Sequence, residues 1–197
     1  MCECLESFTA PTRAWFERGF GEPTEAQRLA WPAIHNGENV LVIAPTGSGK
    51  TLSAFLAAID GIIARKVRAA GGKHGCKRPR KGVRVLYISP LKALGVDVAK
   101  NLETPLNGIR EEYARMGLAV PEVSIAMRSG DSTLQERRAI VSRPPDILVT
   151  TPESLYLMLT SKARTVLDTV QTVILDEVHA VASTKRGAHL ALSLERL

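Results

Sequence analysis

The sequence predicts an α/β fold with a mainly parallel sheet, and two patterns along the chain indicate it. Short apolar runs rich in β-branched residues alternate with longer segments of helical character. The runs are almost continuously apolar, which is typical of strands buried on both faces of a parallel sheet that helices cover on either side. The predicted strands are residues 40–43, 83–88, 123–127, 147–150 and 173–175.

The elements follow one another in regular alternation. The first strand reads Val-Leu-Val-Ile and leads through a glycine-rich turn into a helix at residues 51–63. The second reads Val-Arg-Val-Leu-Tyr-Ile and precedes a helical segment at residues 91–102 that continues to 116. Each of the last three strands precedes one further helix, at residues 133–141, 153–159 and 186–197. A βα repeat of this kind is typical of a sheet flanked by helices on both faces.

The composition indicates one soluble globular domain. With 197 residues, of which 45% are hydrophobic, the chain can bury a core. No apolar run approaches the roughly 18 residues that cross a bilayer. Residues 1–16 lack the basic and apolar regions of a signal peptide. We therefore expect a chain that is neither exported nor bound to a membrane.

The cysteines indicate the cellular compartment, and the net charge indicates the charge of a binding partner. Cys2, Cys4 and Cys76 are an odd number without the spacing of a zinc site, which argues against a disulfide framework and favours the reducing cytoplasm. We interpret Cys2 and Cys4 as incidental features of a loose N-terminus. The net charge of +6 favours an anionic partner, but only weakly.

A basic segment separates the first long helix from the next strand. Residues 65–84 contain nine Lys and Arg residues and no acid, and glycines at 71, 72 and 75 interrupt any helix. The pattern predicts a mobile surface loop. Two interpretations stay open: a solvated loop without a partner, or a segment that contacts phosphates.

A phosphate-binding loop is indicated at residues 44–51, where Ala-Pro-Thr-Gly-Ser-Gly-Lys-Thr follows a predicted strand and opens a helix. Gly47 and Gly49 allow successive N–H groups to point at an anion beside the helix N-terminus. Lys50 can reach the β- and γ-phosphates, and the Thr51 hydroxyl can bind Mg²⁺. Ala44 stands where the general pattern has glycine. The predicted phosphate-binding segment also includes Thr46 and Ser48.

Two adjacent carboxylates follow the last apolar strand. Because buried charge is costly without a cation, Asp176 and Glu177 point to a metal ion. Asp176 would hold Mg²⁺ and Glu177 would orient and deprotonate the water that attacks the γ-phosphate, beside the loop that carries Lys50. His179 either links this site to neighbouring segments or packs at a helix start.

These two segments resemble motifs I and II of the superfamily 2 helicases, with Asp-Glu-Val-His at residues 176–179 as a DEVH variant of the DEAD box. Residues 19–27 resemble the Q motif, which implies that Phe20 stacks on adenine and that the Gln27 amide binds the edge of the base. An amide both donates and accepts, which suits adenine and disfavours guanine. Without the other motifs, these two residues would be a core aromatic and a helix-surface amide.

Three further segments resemble nucleic-acid motifs of the same superfamily. Residues 89–94 resemble motif Ia, residues 128–131 a glycine-containing turn, and residues 150–155 motif Ib. Each follows a predicted strand, so we expect all three loops at one edge of the sheet, where they could follow a sugar-phosphate backbone without reading bases. The candidate contacts are Pro90, Leu91, Lys92, Arg128, Gly130, Asp131, Thr151, Pro152 and Glu153.

The amino-acid sequences of residues 85–94, 144–155 and 186–190 resemble those of the large helicase-related (Lhr) family. The resemblance covers residues 8–197. It implies the first RecA-like domain, at residues 1–197, of an ATP-dependent helicase that unwinds DNA or RNA–DNA duplexes in the 3′-to-5′ direction and serves DNA repair. The implied cofactors are ATP and Mg²⁺. Gly95 and Ser183 depart from the alanine and glycine expected there.

The resemblance also implies a second RecA-like domain that supplies arginine fingers, and the sequence contains no motif of that domain. We expect this chain to be a monomer that binds ATP–Mg²⁺ and single strands with little turnover alone. The alternative is a truncated nucleotide- and nucleic-acid-binding module without motor activity. A kinase or transporter ATPase is disfavoured by the adenine-binding segment and the DEVH sequence.

Overall fold

The computed structural model describes residues 3–45, 47–71, 80–91, 97–98 and 100–197. The chain divides into two compact units. The first, here called the helical unit, comprises Met1–Cys76 and Leu102–Glu122. The second, called the sheet unit, comprises Lys77–Asn101 and Val123–Leu197.

Within its described residues, the helical unit contains four α-helices: α1 (Ala10–Phe20), α2 (Glu25–His35), α3 (Lys50–Gly71) and α4 (Glu103–Arg115). Aromatic side chains form its centre. The rings of Phe8 and Phe16 contact Trp31 edge-to-face at centroid distances of 5.0 and 5.1 Å. Trp31 is fully buried, and its indole N–H donates to the carbonyl of Ser53 at 3.0 Å, which ties α2 to α3.

The N-terminal segment packs into this unit. Glu3–Leu5 form a 3-10 turn, and Cys4, Leu5 and Phe8 are buried. The backbone N–H of Thr9 donates to the buried carboxylate of Asp60 in α3 at 3.2 Å. The prediction of a loose N-terminus is therefore wrong for the residues from Glu3 onward, because Leu5 and Phe8 gain more from burial than the segment loses in freedom. Cys2 lies outside the described residues.

The sheet unit contains a four-stranded sheet in the order β2-β3-β1-β4, with every neighbouring pair parallel. Its strands are β1 (Val85–Ile88), β2 (Ile125–Arg128), β3 (Ile147–Thr150) and β4 (Thr172–Leu175). The central strands β1 and β3 are buried along their whole length. The prediction of an α/β fold with a parallel sheet is confirmed.

In the described part of the sheet unit, β2, β3 and β4 are each followed by one α-helix: α5 (Leu134–Ser142), α6 (Pro152–Leu159) and α7 (Lys185–Leu194). Their starts are encoded locally. Thr133 and Glu136 form a capping box at α5, and Thr151 caps α6, whose first residue is Pro152. Residues of all three helices pack with Leu86 and Leu148 of the sheet in one core.

The first predicted strand is wrong. Within the described chain, residues 40–43 form no strand, and Leu41 and Ile43 are 76% and 87% exposed. A strand requires a neighbour that pairs its backbone groups, and an apolar run with β-branched residues supplies only the propensity.

The predicted loop at residues 65–84 is wrong for residues 65–71, because α3 continues to Gly71. Its last turns are rich in Ala, Arg and Lys, which favour helix, and no glycine interrupts them before Gly71 and Gly72. Residues 72–79 lie outside the described residues, and residues 80–84 are irregular. Among the helices that the structure describes, none has the length and hydropathy that a membrane crossing requires.

Candidate functional site

The predicted phosphate loop leads directly into α3 of the helical unit. Gly47 and Gly49 have φ angles of +83° and +80°, a region that side chains with a Cβ rarely adopt. A Cβ on Gly49 would also lie 2.5 Å from Nε2 of Gln27. Glycine at position 49 is therefore favoured by its backbone conformation, and a larger residue would also have to displace the Gln27 amide. Thr46 lies outside the described residues.

The amino group of Lys50 is held over this loop. It donates hydrogen bonds to the carbonyl oxygens of Ala44 and, at 2.8 Å, of Pro45. The Ser48 hydroxyl donates to the same Pro45 carbonyl at 2.7 Å. Thr51, in the first turn of α3, is exposed. The loop thus brings a cation, a hydroxyl and the unpaired N–H groups of a helix start together, which is a donor set suited to an anion.

Gln27 joins the start of α2 to this loop. Its side-chain carbonyl accepts from the N–H of Thr24 at 3.0 Å and its amide donates to the Gly49 carbonyl at 3.5 Å. The Thr24 hydroxyl donates to the Ser48 carbonyl at 2.8 Å. Gln27 is 3% exposed, so it is not a helix-surface amide. Sequence reasoning missed this capping box, although Thr-x-x-Gln before a helix is its signature.

Phe20 ends α1 at the surface. Its ring stacks on Phe16 with centroids 5.1 Å apart and meets Trp15 edge-on at 5.5 Å. It is 55% exposed, so the interpretation as a core aromatic does not hold. The packed neighbours fix the ring and leave more than half of the residue accessible.

The carboxyl ends of the four strands lie in one row of the sheet unit. Ile88 is in register with both Thr150 and Leu175, and Thr150 is in register with Arg128. The predicted placement of the three strand-end loops at one edge of the sheet is confirmed. Pro90, Leu91, Gly130, Asp131, Thr151, Pro152 and Glu153 all follow directly from this row. Lys92 lies outside the described residues.

Asp176 continues β4 beyond the row. Its N–H donates to the Ile88 carbonyl at 3.0 Å, and its Oδ1 accepts from the N–H of Glu177 at 3.0 Å. Its Oδ2 accepts from the phenol of Tyr87, which is 1% exposed. Burial raises the pKa of Tyr87, and the hydrogen bond to Asp176 raises it further, so the phenol stays a donor. Sequence reasoning missed Tyr87, although a buried tyrosine generally needs a partner for its hydroxyl.

Glu177 has an unusual backbone conformation. With φ 48° and ψ 42°, it is left-handed, and it is the one described residue other than glycine with a positive φ. Such strain costs roughly 1–2 kcal/mol and is concentrated at functional sites. Its Oε2 lies 3.2 Å from Nε2 of His179, whose side chain is 81% exposed. The interpretation of His179 as a packed residue at a helix start is therefore wrong.

The loops after β2 and β3 are held by specific contacts. The Thr150 hydroxyl donates to the Arg128 carbonyl at 2.9 Å. Glu153 accepts two hydrogen bonds from Arg186, one of them at 3.0 Å from Nη2. These bonds lower the pKa of Glu153. Arg186 was not among the predicted site residues, and its role at this loop is visible only in the fold.

The predicted residues thus fall into two groups. Phe20, Gln27 and the phosphate loop lie in the helical unit, whereas the acidic pair and the strand-end loops lie in the sheet unit. The convergence of Lys50 and Asp176 on one triphosphate stays a prediction. In the described parts of the chain, no group of three or more His, Cys, Asp or Glu side chains could hold a metal ion by itself.

Comparison with known proteins identifies the family. The sequence model of the DEAD/DEAH box helicases matches residues 24–197. The chain belongs to the DEAD/DEAH box helicase family. It is 58% identical over 193 residues to the Lhr helicase/probable uracil glycosylase of Mycolicibacterium smegmatis and 55% identical over 190 residues to the Lhr helicase/uracil glycosylase of Escherichia coli. These matches cover 98% and 96% of this chain but 12% of each relative.

A solved structure of Mycobacterium smegmatis helicase Lhr bound to ssDNA and AMP-PNP superimposes with a TM-score of 0.88. It is 56% identical, and the match covers 98% of this chain and 23% of that one. The predicted resemblance to Lhr helicases and the predicted RecA-like fold are confirmed.

Proposed function

We propose that this chain is the ATP-binding motor domain of an ATP-dependent helicase that moves along nucleic acid. The observation that carries the proposal is the loop at residues 44–51, where two glycines with positive φ precede α3 and Lys50 is held over the loop. A phosphate group at this position would replace the carbonyls of Ala44 and Pro45 as the partner of Lys50.

The residues present fit ATP with Mg²⁺. The N–H groups of Gly47 and Gly49 would bind phosphate oxygens, together with Thr46 of the same loop. The Ser48 N–H donates to the Pro45 carbonyl at 3.3 Å and would exchange that partner for a phosphate oxygen. Bound Mg²⁺ neutralises charge on the β- and γ-phosphates. Its proposed protein partners are the exposed Thr51 hydroxyl and Asp176, whose carboxylate Tyr87 and the Glu177 N–H orient.

We assign adenine binding to Phe20 and Gln27. The two hydrogen bonds of the Gln27 side chain use one of its two N–H donors and one of its two oxygen lone pairs. One donor and one acceptor are left, which is the pair that the edge of adenine needs. The exposed ring of Phe20 supplies a stacking surface.

For hydrolysis we assign to Glu177 the orientation of the attacking water, and to His179 a contact that holds the Glu177 carboxylate. The left-handed backbone of Glu177 supports this assignment because strain of this kind persists where function needs it.

We further propose that the row of strand-end loops binds a single strand through its phosphates. Pro90, Leu91, Lys92, Arg128, Gly130, Asp131, Thr151, Pro152 and Glu153 are the proposed contacts. The single strand in the M. smegmatis Lhr structure supports this substrate class. We further propose that the full protein unwinds DNA or RNA–DNA duplexes from 3′ to 5′ and serves DNA repair. A second RecA-like domain would complete its motor. We also propose that it is a monomer located in the cytoplasm.

Nucleotide binding tests the central part of the proposal. Titration of the chain with a fluorescent ATP analogue should give Mg²⁺-dependent binding that Lys50→Ala abolishes. Lys162→Ala removes an equal charge from an exposed turn and should bind like the parent chain. Equal affinity of the Lys50→Ala variant would overturn the assignment.

Turnover tests the motor assignment. Loss of an arginine finger costs about 10³- to 10⁵-fold in turnover, so the chain alone should hydrolyse ATP poorly. In a protein that includes the second domain, Lys50→Ala or Glu177→Gln should abolish strand-stimulated hydrolysis while the fold stays intact. Rapid strand-stimulated hydrolysis by the chain alone would contradict the proposal.

A further inference from the structure

Arg128 is a buried cation for which the described residues supply no partner. It ends β2, at the row of strand ends, and is 7% exposed. Across the described parts of the chain, its guanidinium forms no hydrogen bond and no ion pair. Burying an unpaired charge is costly, and substitution by an apolar residue of similar size is often stabilising. The fold therefore keeps a group here that its own packing does not need.

A second arginine lies beside it. Nη2 of Arg137, in α5, donates to the carbonyl of Gly130 at 2.8 Å, and Gly130 is two residues beyond Arg128. Nε of Arg137 is buried and has no hydrogen-bond partner in the described structure. Burial lowers the pKa of Arg128, and repulsion from Arg137 lowers it further. The two guanidinium groups are thus close enough to repel each other.

The acidic residue next to Arg137 in the sequence is engaged elsewhere. The carboxylate of Glu136, one residue before Arg137, accepts from the N–H of Thr133 at 2.7 Å in the capping box of α5. An external anion would accept hydrogen bonds from both arginines. A phosphate suits them because the planar guanidinium can bind it through paired hydrogen bonds.

The position selects the kind of anion. Arg128 lies in register with Thr150, immediately before the loop that carries Thr151 and Pro152. A strand that follows this row of loops would pass the two arginines. We propose that Arg128 and Arg137 together bind one phosphodiester of a single strand. This inference rests on the proposed function and adds Arg137 to the binding residues.

Substitution by methionine separates a binding role from a structural one. Arg128→Met removes an unpaired buried charge and relieves repulsion of Arg137, so the melting temperature should rise or stay constant. Binding of an oligothymidylate strand should nevertheless weaken by about tenfold or more, because hydrogen bonds to charged groups are lost. Arg137→Met should weaken binding to a similar extent.

Neutral linkages locate the contact. Oligothymidylate strands that carry one uncharged methylphosphonate linkage, moved along the strand, are titrated by fluorescence anisotropy. The parent chain should lose affinity when one particular linkage is neutral, and Arg128→Met and Arg137→Met should be insensitive to that linkage. Arg138→Met is the matched control, because Arg138 is the exposed next residue of α5 and should leave the linkage profile unchanged.

Three other results would contradict either the two-arginine site or the strand-binding part of the proposed function. If the parent chain binds strands but both variants keep its affinity and linkage profile, the two-arginine site is wrong and the proposed function stands. The site is equally wrong if both variants lose strand binding together with a clear drop in melting temperature, since that marks a structural role. If the parent chain binds no strand while it binds ATP–Mg²⁺, the strand-binding part of the proposed function itself fails.

Discussion

The phenol of Tyr87 donates a hydrogen bond to Oδ2 of Asp176, between neighbouring strands of the sheet. Tyr87 is almost fully buried, and its ring is fixed by the strand that carries it. The hydrogen bond therefore fixes the orientation of a carboxylate that follows directly from β4. Asp176 is the proposed Mg²⁺ ligand, and loss of a group that orients a metal ligand typically lowers metal affinity.

Tyr87→Phe should consequently weaken Mg²⁺-dependent nucleotide binding by about 10- to 100-fold, the range typical of lost orienting contacts. The measurement is a Mg²⁺ titration of the chain in the presence of a fluorescent ATP analogue. Tyr156→Phe removes a hydroxyl from a partly exposed tyrosine that packs on His189, and it serves as the control. Unchanged Mg²⁺ affinity in the Tyr87→Phe variant would contradict a positioning role.

Glu177 allows a separation of activity from stability. Its left-handed backbone is strained for glutamate and for glutamine, but not for glycine. Glu177→Gly should therefore be about 1 kcal/mol more stable than Glu177→Gln in urea-induced unfolding. Both variants should lack strand-stimulated ATP hydrolysis in a protein with the second domain. A Glu177→Gln variant more stable than Glu177→Gly would show that the conformation carries no penalty.

Two glycines should respond in opposite ways to alanine. A Cβ on Gly187, in the first turn of α7, would lie 2.1 Å from the carbonyl oxygen of Val181, which is backbone and cannot rotate away. Gly187→Ala should therefore cost about 1–3 kcal/mol of unfolding free energy. Gly61, in the interior of α3, has nothing within 4 Å of a built Cβ, so Gly61→Ala should stabilise by about 0.5–1 kcal/mol. Denaturant titrations of the two variants test the pair, and an equal sign for both would contradict it.

The sheet was predictable because its strands carry their own signal. Residues 85–88 and 147–150 are continuous apolar runs with β-branched residues, and the structure buries both along their whole length. Residues 40–43 carry the same signal and form no strand, since the signal does not specify a pairing partner. The continuation of helix α3 past residue 65 was not predicted, because charged residues on a helix surface resemble a solvated loop in composition.

The candidate site divides in the same way. The glycine positions of the phosphate loop and the order of the strand-end loops could be predicted, because both depend on short local patterns. Tyr87 and Arg186 could not, since each bonds to a residue distant in sequence. The buried Nε of Arg137, which has no hydrogen-bond partner in the described structure, is visible only in the fold. Sequence patterns indicate which side chains follow the end of a strand. Only the fold shows which distant side chains contact and orient them.

The ion pair between Glu153 and Arg186 should make stability depend on pH in acid. The hydrogen bonds from Arg186 lower the pKa of Glu153 below its ordinary value of 4.5. A lowered carboxyl pKa stabilises the fold above 4.5, and the contribution is lost as the pH falls through the lower value of the folded state. Both side chains are more than a third exposed, so the pair contributes at most about 1 kcal/mol. The unfolding free energies of the parent chain and of Glu153→Gln should therefore differ near pH 7 and converge in acid.

Glu111→Gln is the control, because it changes an exposed glutamate of α4 that forms no ion pair with any described residue. Its difference in unfolding free energy from the parent chain should stay small at every pH. A gap for Glu153→Gln that persisted unchanged into strong acid would show that neutral packing, not the ion pair, holds this loop.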